Sequence, residues 1–114
     1  MRNRIIATIN ICLQLVLGML LYGCSTPVEN PTPKSYTVEI NAMRFQPSEL
    51  SVQKGDTVVF INNDMLAHNI TEQETKAWAS SPLSTGQSFN LVVSESADYY
   101  CTIHPVMKGK ISVK

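Results

Sequence analysis

The chain has 114 residues and a formal net charge of zero, which is one domain's worth of sequence without the basic excess of a nucleic-acid-binding face. The charge is unevenly placed: Arg2 and Arg4 stand at the start, and all nine acids lie from Glu29 onward. Removal of the first residues would leave seven cations against nine acids, so nucleic acid is excluded as an expected partner.

The chain opens with those two cations and an apolar run from Ile5 to Leu21, the pattern of an export signal. A retained membrane anchor is the rival reading, since the run is just long enough to span, although Asn10 and Gln14 interrupt it. An ordinary cleaved signal is the third. The ending Leu21-Tyr22-Gly23-Cys24 resembles a bacterial lipobox, which implies that Cys24 becomes the first mature residue and carries lipid. All three readings put the domain outside the cytoplasm. We therefore expect residues 1–23 to be a lipoprotein signal peptide, and the protein to sit in the periplasm or at the cell surface, lipid-anchored to a bacterial membrane.

Residues 24–35 read as a tether. Three prolines among small polar residues make a semi-rigid extended chain, and the eleven residues from Ser25 to Ser35 at about 3.1 Å each reach roughly 34 Å. The domain proper is expected over residues 36–114.

From Tyr36 the pattern turns to period two: Tyr36, Val38 and Ile40 alternate with Thr37 and Glu39, as in a half-buried strand. Leu50 and Val52 mark the next strand, stopped by the turn chemistry of Lys54-Gly55-Asp56. Thr57 to Asn62 is a β-branched apolar run consistent with a strand buried on both faces. Asn62-Asn63-Asp64 breaks it, and extended chain resumes at His68. Residues 74–80 could wind one helical turn ahead of Ser81-Pro82, with Trp78 as a packing residue. Phe89 and Leu91 alternate again, Asp98 to Cys101 is a short strand, and Ile111 and Val113 belong to the last. Seven or eight short strands with turns between them predict an all-β antiparallel sandwich.

The chemistry concentrates in residues 101–107, where a thiol, an imidazole and a thioether fall at Cys101, His104 and Met107. Every third residue could be a helical stripe, but Pro105 after the β-branched Thr102 and Ile103 argues for a loop. His68 is the one other imidazole in the chain. One thiolate, two imidazoles and a weak thioether form the ligand set of a blue copper electron-transfer site. Zinc would accept the first three but does not ordinarily take a Met, and a catalytic metal keeps an open position, so no enzyme activity is expected. Cys12 leaves with the signal. With lipid on Cys24, Cys101 is an unpaired thiol in an oxidising compartment, which metal ligation explains. A Cys24–Cys101 disulfide is the alternative, and leaves His104 and Met107 without a purpose.

The stretch from Tyr36 to Lys114 resembles the cupredoxin family of plastocyanin, pseudoazurin and amicyanin. The resemblance rests on Phe45 and Pro47, on Leu50, Val52, Gly55 and Asp56, on the run from Asn62 to Asn69, on Trp78, Leu83, Gly86 and Phe89, and on Tyr99 to Gly109. The two-residue gap between His104 and Met107 is similar to the short loop of amicyanin-like members. The resemblance implies a Greek-key sandwich with one Cu(I)/Cu(II) ion, His68, Cys101 and His104 as equatorial ligands and Met107 as the axial one. It implies that Asn69 braces the ligand loop and donates to the Cys sulfur. It implies a docking patch of Met65, Leu66, Ala67, Pro105 and Val106 around His104, with Tyr100 as a second candidate route for electrons. The expected function is one-electron transfer by a monomer to or from a c-type cytochrome, dehydrogenase, reductase or oxidase. Copper storage or delivery is the alternative.

Overall fold

The computed structural model of the chain describes residues 23–114; the signal-peptide expectation falls outside them, apart from Gly23. Among the described residues no helix is long and apolar enough to cross a membrane. Gly23 to Pro31 is exposed and has no regular structure. The domain that follows, residues 32–114, contains eight strands: β1 (Ser35–Asn41), β2 (Arg44–Gln46), β3 (Glu49–Val52), β4 (Thr57–Asn62), β5 (Thr71–Glu72), β6 (Ser88–Val92), β7 (Ala97–Tyr100) and β8 (Lys108–Val113). They form two four-stranded sheets, ordered β2-β1-β4-β6 and β3-β8-β7-β5.

The all-β sandwich read from the alternation is what the chain forms, with one difference in pairing. β1 runs parallel to β4, and β3 runs parallel to β8, while the other neighbours are antiparallel. Both sheets are therefore mixed. Period two reports which face is buried and is blind to the direction of the neighbouring strand. Parallel partners need a long connection, and here β2 and β3 lie between β1 and β4 in the chain.

Inward residues of the two sheets meet in one core of Val38, Ile40, Phe45, Val52, Val58, Phe60, Ile70, Tyr99 and Ile111, continued by Leu83, Val93, Cys101 and Met107. β4 alternates between fully and partly buried positions, so it is not buried equally on both faces as its composition suggests. Val59 and Ile61 are half-covered, enough to favour apolar β-branched residues there. Aromatic edges lock the centre: the Phe45 and Phe60 rings each meet Tyr99 edge to face, at 4.9 and 5.3 Å between centroids. Tyr99 lies across Gly109, its register partner on β8, where a Cβ would collide with the ring. Trp78 packs on the same cluster, 6.3 Å from Tyr99.

The helical turn expected at residues 74–80 does not form. The Glu72 carboxylate accepts hydrogen bonds from the Glu74, Thr75 and Ala77 N–H groups and from the Thr75 hydroxyl, which gathers the segment into a tight turn around one acceptor. Lys76 adopts a left-handed φ of 58°, and the chain returns through a bridge between Thr71 and Ala79. These bonds, the Thr75 hydroxyl's first, hold the Glu72 pKa down at about 2. A carboxyl depressed on folding stabilises the native state above its unfolded pKa of about 4.5, and the contribution is lost as pH falls from there towards about 2. Glu72→Gln should therefore unfold more easily at neutral pH and show a flatter acid limb than the parent when stability is measured by urea titration across that window. Parallel acid limbs would refute this role.

Candidate metal centre

β4 delivers the chain to one end of the sandwich, and Asn62 builds the turn there. Its buried side-chain amide donates to the Leu66 and Leu83 carbonyls, both at 2.8 Å, and its carbonyl oxygen accepts from the Asp64 N–H at 2.9 Å. His68 and Leu83 then bond reciprocally through their backbones, which leaves the His68 ring fully buried. β7 ends at Tyr100 and places Cys101, also fully buried, beside that ring. The following segment is the loop that Pro105 implied. Two backbone bonds close it, from Met107 N–H to the His104 carbonyl and from Cys101 N–H to the Met107 carbonyl. Met107 is buried, and this closure ties its backbone to both other ligand candidates of the loop.

The structure brings the ligand atoms of His68, Cys101 and His104 within 4.8 Å of one another. Cys101 Sγ lies 3.9 Å from His68 Nδ1 and 4.0 Å from His104 Nδ1, and the two Nδ1 atoms are 3.1 Å apart. These separations are short enough for one ion to reach all three atoms at ordinary metal–ligand bond lengths of about 2.0–2.3 Å. A trigonal His₂Cys set with a Met above it suits copper, whereas structural zinc is tetrahedral.

Asn69 sits where the family resemblance put it, with a division of labour the sequence did not show. Its backbone N–H points at Cys101 Sγ at 3.4 Å, while its side chain grips Thr102, donating to the hydroxyl at 2.6 Å and accepting from the backbone N–H at 2.7 Å. Asp64 was legible only as a turn former. Its Oδ2 lies 3.0 Å from His68 Nε2 and accepts the Met43 N–H at 3.0 Å; its Oδ1 accepts the Met65 N–H at 2.8 Å. The Met43 bond, then the His68 contact, keep the Asp64 carboxyl below the usual carboxylate range. A carboxylate four residues before a candidate ligand is the signal that could have singled it out.

His104 is half-buried. Around the ligand loops Met65 is 93% exposed and Val106 86%, with Leu66, Ala67 and Pro105 also open to solvent. Ile103 joins these exposed apolar residues. Tyr100 faces outward, half-buried, with the Lys76 ammonium 4.5 Å from its ring centre. Cys24 is exposed and Cys101 is buried, and both are free cysteines.

Residues 33–114 match the family model described as copper binding proteins of the plastocyanin/azurin family. The chain is 31% identical over 109 residues to amicyanin of Paracoccus denitrificans, covering 85% of this chain and 83% of that protein. It is 34% identical over 86 residues to plastocyanin of Daucus carota, covering 63% and 89% respectively. A solved structure of a reduced amicyanin variant superposes with a TM-score of 0.66 at 31% identity, over 77% of this chain and 95% of the other. A purple cupredoxin from Nitrosopumilus maritimus gives 0.64 at 29%, over 68% and 98%.

Proposed function

The chain belongs to the plastocyanin/azurin family of copper-binding proteins, and from that premise we propose that it is a membrane-tethered, extracytoplasmic carrier of single electrons whose copper ion is held by His68, Cys101, His104 and Met107. Its amicyanin and plastocyanin relatives are electron carriers rather than enzymes. The observation that carries the proposal is the close set of one sulfur and two imidazole nitrogens, His68 and Cys101 buried and His104 half-buried, with the Met107 thioether buried in the same loop. Copper supplies the one-electron change between its cuprous and cupric states.

The chain's own residues make that change easy to repeat. Two strand-anchored segments fix the ligand atoms, so little rearranges with oxidation state. The Asn69 N–H stabilises negative charge on Cys101 Sγ, and the Asn69–Thr102 pair stops the loop from moving away from His68. The half-buried His104 is the electron exit, and the exposed apolar residues Met65, Leu66, Pro105 and Val106 form the docking patch. Such a patch excludes water from a contact without demanding one charge pattern, which suits a redox protein partner: a c-type cytochrome, dehydrogenase, reductase or oxidase. Tyr100, adjacent to Cys101, is the second candidate route. Lipid on Cys24 and the proline-bearing residues 24–35 would hold the domain at a membrane within reach of that partner.

Electron self-exchange and copper exchange, measured on one copper-loaded sample, test the carrier reading. Fast self-exchange with slow copper release is expected; rapid copper release with sluggish self-exchange would instead identify a storage or delivery protein. Met107→Ala should raise the reduction potential, because loss of a donor weakens the cupric state more than the cuprous. An unmoved potential would remove Met107 from the ligand set.

A further inference from the structure

The Asp64 carboxylate meets the ring of His68 on the side away from the metal candidate. An ionised carboxylate can only accept hydrogen bonds, so the 3.0 Å contact requires the His68 proton on Nε2. In the neutral ring Nδ1 is then left with its lone pair facing Cys101 Sγ and His104 Nδ1, the tautomer a metal ligand needs. Asp64 is itself held from several sides. Its carboxylate accepts the N–H of Met43, in the turn between β1 and β2, and that of Met65. Its own N–H is taken by Asn62 Oδ1, and its carbonyl accepts from the Thr85 hydroxyl at 2.7 Å. A carboxylate anchored by Met43, on another loop, cannot follow the ring if the ring swings, so it works as a stop.

We propose that Asp64 is the positioning residue of this site: it fixes the tautomer and orientation of His68, and its charge favours the more positive, oxidised state of the bound ion. The proposal rests on the reading of His68 as a copper ligand. The same carboxylate bonds the N–H of Met65, which is 93% exposed in the docking patch, so one side chain sets both the buried ligand and the first residue of the contact loop. A group that orients a ligand in this way typically costs about 10–100-fold in metal affinity when removed.

The test compares the parent, Asp64→Asn and Asp64→Glu by copper affinity, reduction potential and visible spectrum. The Asn variant keeps the size and an acceptor for Met43 but loses the charge. It should bind cupric ion about 10–100-fold more weakly and show a higher potential, and Asp64→Glu should recover most of both. Unchanged affinity and potential in the Asn variant, with the parent's thiolate–copper band intact, would overturn the role of Asp64 and leave the copper site standing. A parent protein without that band would overturn the copper reading and this proposal together. A second measurement needs no variant: nitrogen NMR of the metal-free parent should find His68 protonated at Nε2, and protonation at Nδ1 alone would contradict the proposal.

Discussion

Cys101→Ser should abolish the intense thiolate-to-copper absorption entirely and remove the reversible one-electron couple. Affinity for cupric ion should fall by more than about 100-fold, the upper end of what loss of a merely bracing group costs. The thiolate is the soft, charged donor of the set; a serine hydroxyl stays protonated and leaves two neutral imidazoles and a thioether. The fold should survive. Cys101 is fully buried but small, and a hydroxyl still offers an acceptor to the Asn69 N–H that now points at Sγ. Metal-free Cys101→Ser should therefore unfold within about 1 kcal/mol of the metal-free parent, the scale of one net hydrogen bond. A variant that kept the visible band would show that Cys101 is not the ligand.

The second large effect is on stability. Phe60→Ala should cost about 3–5 kcal/mol, the range for emptying a buried aromatic site, in chemical denaturation of the metal-free domain. Phe60 is fully buried at the centre of β4, with Phe45, Phe89 and Tyr99 around it. Two of those contacts are edge to face, a geometry that adds to the area term. Tyr99 cannot move in to fill the space without leaving Gly109, across which it lies. Since β7 carries both Tyr99 and the approach to Cys101, copper release should also quicken in this variant. A cost below about 1 kcal/mol would mean the core collapses around the gap, against the rigidity described above.

The strands were legible because half-buried strands write their burial into alternate residues, as Val38 and Ile40 do against Thr37 and Glu39. Strand direction leaves no such mark, so the parallel pairs β1–β4 and β3–β8 show only in the folded structure. Residues 74–80 misled because helical propensity is weak beside tertiary context: Lys76 takes a left-handed φ and the chain turns back to pair Ala79 with Thr71. The metal candidates were legible by type and spacing, since thiol, imidazole and thioether beside a proline admit few roles. Asp64 was not, because an Asp after two Asn reads first as a turn. Its importance depends on which ring nitrogen of His68 it meets, and that is a property of the folded loop.

If His68, Cys101, His104 and Met107 hold one copper ion for electron transfer, as proposed, the metal-free domain should take up a single equivalent of cupric ion. The most direct measurement is a titration of the metal-free domain with cupric ion, followed in the visible range. An intense thiolate-to-copper band that saturates at one equivalent and bleaches reversibly on one-electron reduction is the predicted result. Copper bound with only the weak absorption of nitrogen and oxygen ligands, or no saturation at one equivalent, would contradict it.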